Sequence, residues 1–121
     1  MFQTKKTKIK AYLNNIVGMY TPFDHLLSDY LSGELKNRLD RLGLQHISIY
    51  IDWHHDYKCI NVQGRYHKNY VDIQIEPTRF SIGCDPDEPD EHVEFVLESR
   101  EQFYNATTAQ LTAVTKDERH G

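Results

Sequence analysis

Residues 47–53 read Ile-Ser-Ile-Tyr-Ile-Asp-Trp, and this stretch decides the fold because apolar and polar side chains alternate along it. A period of two places one set of side chains on each face of a β-strand. The pattern returns in residues 59–65, 70–76 and 79–84, and a shorter run at 93–97 continues it. Short turns separate the first four segments. The sequence therefore predicts an antiparallel meander of five strands with one apolar and one polar face.

Two helical segments precede the predicted sheet. In residues 8–19, apolar side chains recur at helical spacing, which predicts a first helix. The second helix begins after Thr21, a good N-cap that Pro22 follows in the first turn. It ends before Gly43, the residue type that commonly terminates helices. Its apolar stripe predicts one continuous helix of about 22 residues that runs through Gly33.

A third helix follows the sheet. Ser99 and Gln102 resemble a capping box, and apolar residues at helical spacing predict a helix that ends near Val114. We expect one domain over residues 1–114 and a polar tail over residues 115–121. The predicted fold is α+β in the order α-α-β-β-β-β-β-α, with the helices on the apolar face of the sheet. The side chains expected to be buried there are Ile47, Ile49, Ile51, Val71, Ile73 and Ile75.

Composition narrows the class of protein. The chain has 121 residues, of which 39% are hydrophobic and 26% charged, as is usual for a globular protein in water. It has no apolar run near the roughly 18 residues of a membrane span, and no signal peptide is recognised near the N-terminus. The two cysteines do not form a disulfide framework. We expect a cytoplasmic protein with reduced thiols, no cofactor and no membrane partner.

Negative charge is concentrated late in the chain. Residues 85–101 carry eight acidic side chains against Arg100, while the whole chain has a formal net charge of −4. This balance argues against nucleic-acid binding, which requires a basic surface, and favours a basic protein partner or a cation. Two prolines and four acids in residues 85–90 predict an exposed loop. The acidic residues expected to contact a partner are Asp85, Asp87, Glu88, Asp90, Glu91 and Glu94.

The polar face of the sheet is the second candidate surface. Tyrosine and arginine are enriched among the residues that anchor protein interfaces, although a polar sheet face can also simply contact water. The residues predicted to bind a partner from this face are Tyr50, Asp52, Arg65, Tyr70 and Asp72.

Catalytic chemistry finds little support in the sequence. His54 and His55, with Asp52 and Asp56 nearby, offer ligand types that zinc accepts, but no HExxH motif or cysteine pair accompanies them. Cys59 lies in the polar register of its strand, and no helix N-terminus follows it to lower the pKa of its thiol. We predict no catalytic residue and no enzymatic activity.

The segment from Ile47 to Tyr104 resembles small bacterial immunity proteins of polymorphic-toxin and contact-dependent growth inhibition systems. The resemblance lies in the Ile49–Trp53 strand, the Tyr70–Ile75 strand, the acidic loop and the Leu97–Tyr104 segment. It implies a cytoplasmic protein that binds a cognate toxin domain, often a nuclease, and blocks it by occlusion. Two alternatives remain open: a small metal-binding protein or enzyme that uses His54, His55 and Asp52, and a subunit of a larger assembly.

Overall fold

The computed structural model describes residues 21–54, 57–85 and 92–120. Its elements run in the order α-α-β-β-β-β-β-α, which confirms the predicted α+β fold. The expected helix at residues 8–19 lies outside the described residues, and the two helices before the sheet both come from the segment after Thr21. The elements are α1 (Pro22–Ser32), α2 (Glu34–Arg41), β1 (Gln45–His54), β2 (Tyr57–Tyr66), β3 (Asn69–Ile75), β4 (Arg79–Asp85), β5 (His92–Val96) and α3 (Arg100–His120).

The five strands form an open antiparallel sheet in the order β1-β2-β3-β4-β5, so β1 and β5 are its edges. The register aligns the apolar residues across the strands, as in the row Ile51, Ile60, Ile75, Phe80 and Phe95. These side chains share one face because directly opposed residues point to the same side of an antiparallel sheet. We call this side the apolar face.

All three described helices contribute to the core on the apolar face. The helical core residues are Phe23, Leu26, Leu35, Leu39, Phe103, Tyr104 and Leu111. Phe80 stacks on Phe95 at a ring-centroid distance of 4.8 Å and meets Phe103 edge-on at 5.0 Å, which joins the last two strands to α3. Aromatic pairs of this geometry add about 0.5–1.5 kcal/mol to the contribution of burial.

Burial on the apolar face increases from the edge strand β1 toward the centre of the sheet. Ile73 and Ile75 in β3 are fully buried, and Val71 is nearly so, as predicted. Ile47, Ile49 and Ile51 in β1 are only half-buried, which corrects the expectation of full burial. An edge strand has a neighbour on one side alone, so its side chains receive less cover than those of a central strand. Leu31 of α1 lies outside the core and is 75% exposed.

Gly33 divides the segment that was predicted to be one long helix. Its φ of +84° lies in the left-handed region, where it serves as the C-cap of α1 and the N-cap of α2. The Gly33 amide donates to the Tyr30 carbonyl at 3.1 Å, which closes the last turn of α1. The prediction of a continuous helix was wrong because glycine adopts this conformation without steric cost, so the chain can change direction there.

The remaining helix ends follow the sequence signals. Thr21 and Asp24 form a reciprocal capping box at the start of α1, with Pro22 in the first turn. Gly43, at φ +104°, ends α2 in a Schellman motif, in which Leu44 N donates to Leu39 O at 3.1 Å.

The last helix extends further than the sequence predicted. Ser99 Oγ accepts the Gln102 amide at 3.0 Å and caps its N-terminus. The helix continues to His120 rather than ending near Val114, because no glycine or proline interrupts residues 115–120. None of the described helices combines the length and apolar composition needed to cross a lipid bilayer.

A polar cluster connects the three helices. Asp29 of α1 is only 5% exposed; it accepts the Tyr104 hydroxyl at 2.9 Å and pairs with Arg100 at 3.4 Å. Arg38 of α2 lies over the Tyr104 ring at 3.9 Å and donates two hydrogen bonds to Glu101. Burial and the Asp29 carboxylate raise the pKa of Tyr104 well above its ordinary value, so the hydroxyl remains a donor. The cluster fixes the helices relative to one another on one side of the sheet.

Gly33→Ala tests the break between α1 and α2. We expect it to lower the free energy of unfolding by about 1 kcal/mol, since alanine is disfavoured in the left-handed region. Gly33→Asn should lower the free energy of unfolding by a smaller amount, because asparagine tolerates the left-handed conformation better than alanine does. The measurement is urea denaturation followed by circular dichroism. If the helix were continuous, Gly33→Ala would instead stabilise the protein by about 1 kcal/mol.

Ile73→Ala and Ile49→Ala form a matched pair that tests the burial gradient. Truncating the fully buried Ile73 side chain should lower the free energy of unfolding by about 2–5 kcal/mol. Truncating the half-buried Ile49 should lower the free energy of unfolding by only about 1–2 kcal/mol, because less apolar surface returns to water. Urea midpoints of both variants provide the comparison. Equal losses would mean that β1 is covered as fully as β3.

Candidate functional site

The side of the sheet opposite the helices is polar and is not covered by any described element. We call it the polar face. Its exposed positions occur on all five strands, from Tyr50 in β1 to Glu94 in β5. One row of opposed residues crosses the whole sheet: Tyr50, Asn61, Gln74, Ser81 and Glu94. Alternation along the strands, which buries the isoleucines on one side, therefore collects these polar side chains on the other.

Seven of the residues predicted to bind a partner share the polar face. The register places Tyr50, Asp52, Arg65, Tyr70, Asp72, Asp85 and Glu94 there. The other four, Asp87, Glu88, Asp90 and Glu91, lie outside the described residues. Asp85 and His92, which flank that segment, both belong to the polar face. The described ends of the acidic segment therefore belong to the same face as the strand residues.

Two tyrosines are the exposed aromatic residues of this face. Tyr50 is 44% exposed and Tyr70 is 42% exposed. The Arg65 guanidinium lies over the Tyr70 ring, 4.4 Å from its centroid, in a cation–π contact between directly opposed residues of β2 and β3. The contact restricts both side chains before any partner arrives, which reduces the entropy lost on binding.

A concavity of about 250 Å³ runs across one end of the polar face, and we call it the central concavity. The residues that line it are Asp52, Tyr57, Cys59, Asn61, Gln74, Glu76, Arg79, Ser81 and Glu94. Such a space accommodates a single side chain or a short peptide segment rather than a large cofactor.

Glu76 organises the middle of the central concavity. Its carboxylate accepts the Tyr57 hydroxyl at 2.9 Å and the Arg79 Nε–H at 3.1 Å. These bonds raise the pKa of Tyr57 and of Arg79 above their ordinary values. Arg79 also lies 3.9 Å from the Glu94 carboxylate. Tyr57 and Glu76 could not be singled out from the sequence, because the fold alone brings their side chains together.

Cys59 lies in the central concavity and is only 7% exposed. Burial raises the pKa of its thiol, and the nearby Glu76 and Asp52 carboxylates raise it further. A thiol with a raised pKa is little ionised near neutral pH and is therefore a poor nucleophile. Cys84 occupies the apolar face two strands away, so the geometry of a disulfide between the two residues is excluded.

His92 and Asp72 form a contact that the sequence did not predict. His92 Nε2 lies 3.1 Å from Asp72 Oδ2, although the residues belong to β5 and β3. Gly83 of β4 stands between them in the register, and its lack of a side chain lets the two meet above it. His92 is half-buried and helps to order the polar face.

The structure describes only some of the residues that the sequence suggested as metal ligands. Asp52 is exposed on the polar face, whereas His55, Asp56 and the side chain of His54 lie outside the described residues. Within residues 21–54, 57–85 and 92–120, no group of three or more His, Cys, Asp or Glu side chains is arranged to hold a metal ion.

Comparison with protein-family models, with curated proteins and with solved structures gives no match to this chain. The geometry and charge of the polar face are therefore the features that indicate a function. Among the described residues, that face has five carboxylates (Asp52, Asp72, Glu76, Asp85 and Glu94) and two guanidinium groups (Arg65 and Arg79). Its electrostatic character is acidic, and it best complements a basic surface.

Glu76→Gln tests the arrangement inside the central concavity. A neutral amide stabilises the protonated phenol less than a carboxylate does, so the pKa of Tyr57 should fall toward its ordinary value of 10.0. NMR titration of ¹³Cζ-labelled tyrosine measures this pKa, and Tyr57→Phe assigns the resonance. Glu94→Gln, which removes a carboxylate that is not hydrogen-bonded to Tyr57, should leave the Tyr57 titration unchanged. An unaltered pKa in Glu76→Gln would contradict the contact.

Proposed function

We propose that this chain is an immunity-type binding protein, which neutralises a basic toxin domain by covering the domain's active site with the polar face. The observation that carries the proposal is the asymmetry of the sheet. The described helices all pack on the apolar face, while the opposite face presents acidic and aromatic side chains to the surroundings. A face of this composition fits a protein interface better than a catalytic centre, since its buried thiol is a weak nucleophile.

The dimensions of the polar face support binding to a macromolecule. Five strands spaced about 4.8 Å apart span roughly 20 Å, and the seven residues of β3 extend for about 23 Å. The projected area, on the order of 450 Å², is of the same order as the roughly 800 Å² that each partner buries in a standard interface.

The charge of the polar face supports a basic partner. A nuclease domain binds phosphate groups through lysine and arginine side chains, so the surface around its active site is positive. The carboxylates on the polar face complement such a surface and accelerate the encounter of the two proteins. A bound acidic face would then exclude the nucleic-acid substrate by occupying the same positive groups. The cytoplasm is where this protection of the host cell would operate.

Capture followed by inhibition tests the proposed function. The tagged chain is used to isolate its partner from the native host, the bound protein is identified, and its activity is measured with and without the chain. We expect a basic partner that is inhibited at equimolar ratio. Tyr70→Ala should weaken the affinity at least tenfold, because it removes an exposed interface anchor.

Leu31→Ala is the matched control for this experiment. Leu31 is 75% exposed on α1, on the helix side of the molecule, and its truncation should leave the affinity unchanged. Circular dichroism of both variants verifies that each remains folded. Loss of binding in Leu31→Ala but not in Tyr70→Ala would favour an assembly held through the helices and contradict the proposed function. A partner whose activity is unaffected by the chain would also contradict it.

A further inference from the structure

Asn61 places an amide on the floor of the central concavity. The residue is only 7% exposed, and it lines the concavity at the centre of the row that crosses the sheet. No described residue donates or accepts a hydrogen bond at its side chain. Its amide atoms are not among the described buried polar atoms that lack a partner, so they are accessible at the surface of the concavity. The amide is therefore open to a ligand that enters the concavity.

Two further groups on β1 adjoin Asn61 on the polar face. Tyr50 is directly opposite Asn61 in the register, and Asp52 lies on the same face two residues further along β1. The Asp52 carboxylate is exposed and has no ion pair with any residue in the described ranges. Diagonal neighbours on one sheet face are about 7–8 Å apart, so one planar group can reach both Asp52 and Asn61.

The cations closest to Asp52 in the fold are engaged elsewhere. Arg79 donates to Glu76 at 3.1 Å and faces Glu94, which lies on the far side of the sheet. Lys58 is placed on the opposite side of β2 by the alternation, with its ammonium group 5.3 Å from the Trp53 ring. The carboxylate of Asp52 and the amide oxygen of Asn61 thus form an acceptor pair that the described cations leave unoccupied.

We propose that Tyr50, Asp52 and Asn61 form a receptor for one arginine side chain of the protein partner. The proposal rests on the proposed function, in which the polar face is the binding surface. A guanidinium group is planar and carries five N–H donors, so it can donate to Asp52 and Asn61 at the same time. It also stacks on aromatic rings, which gives exposed Tyr50 a role at this position. A lysine ammonium has no planar surface to stack and fits the three groups less well.

The test uses arginine itself as the probe and needs no partner. Nα-acetyl-arginine methylamide is titrated into ¹⁵N-labelled protein, and the side-chain amide resonances of Asn61 are followed by NMR. We expect saturable shifts that centre on Asn61 and on the β1 residues Tyr50 and Asp52. The citrulline analogue has the same shape without the charge and should bind about tenfold more weakly. The lysine analogue should also bind more weakly than the arginine analogue.

Two variants and a charge-matched control sharpen the result. Asp52→Asn and Asn61→Leu should each weaken binding of the arginine analogue several-fold. Asp40→Asn removes one negative charge from an exposed position on α2 and should leave binding unchanged. Because Asp52 is exposed, its variant remains informative even if Asn61→Leu does not fold. Shifts that do not saturate, that are equal for citrulline, or that persist in Asp52→Asn would overturn the proposal.

The outcomes separate this inference from the proposed function. In one outcome, Tyr70→Ala weakens binding of the captured partner, while Asp52→Asn changes the affinity for neither the partner nor the arginine analogue. The polar face would then bind the partner, but the proposed arginine receptor would be wrong. In another outcome, the arginine analogue binds as expected, but Tyr70→Ala does not change the affinity for the captured partner. The arginine receptor would then be supported, and the proposed function of the whole polar face would be contradicted.

Discussion

Covering the apolar face of the sheet is the requirement on which the rest of this structure depends. Five strands align isoleucine, valine and phenylalanine side chains on one side, and their transfer out of water supplies much of the stability of the fold. The helices meet that requirement together, since the Asp29–Tyr104 hydrogen bond and the Arg38–Glu101 ion pair connect them. Because the described helices are all used on one side, the opposite face is left for other contacts.

The polar face is ordered by contacts between its own side chains. Glu76 holds Tyr57 and Arg79, Arg65 lies over Tyr70, and His92 reaches Asp72 above Gly83. Surface contacts of this kind contribute little to stability, and an ion pair such as Arg79–Glu76 typically adds about 0–1 kcal/mol. Their more important effect is to reduce the conformational freedom that a partner would otherwise have to remove. Within this ordered surface, Asn61 and Asp52 are neighbouring acceptors without a hydrogen-bond partner among the described residues, and for this reason they carry the inference about arginine.

The sequence predicted those features that depend on local periodicity. Alternation in residues 47–53 and 70–76 was enough to place Tyr50, Asp52, Tyr70 and Asp72 on one face. It did not reveal that the isoleucines of β1 are only half-buried, because the cover of an edge strand depends on how the helices pack on the sheet. Gly33 was compatible with a continuous helix by pattern alone, and the tertiary contacts of α1 and α2 decide otherwise. The central concavity was not predictable either, since Tyr57 and Glu76 are brought together only by the register of the sheet.

The central claim is that a partner binds the polar face, and cross-saturation NMR of the complex measures this most directly. The labelled chain is bound to its captured, unlabelled partner, the partner's protons are irradiated, and the attenuated resonances of the chain are mapped onto the structure. The account predicts attenuation at Tyr50, Asn61, Tyr70 and Glu94, and none at Leu31 or along the exposed side of α2. Attenuation confined to α1 and α2, with the polar face unaffected, would contradict it.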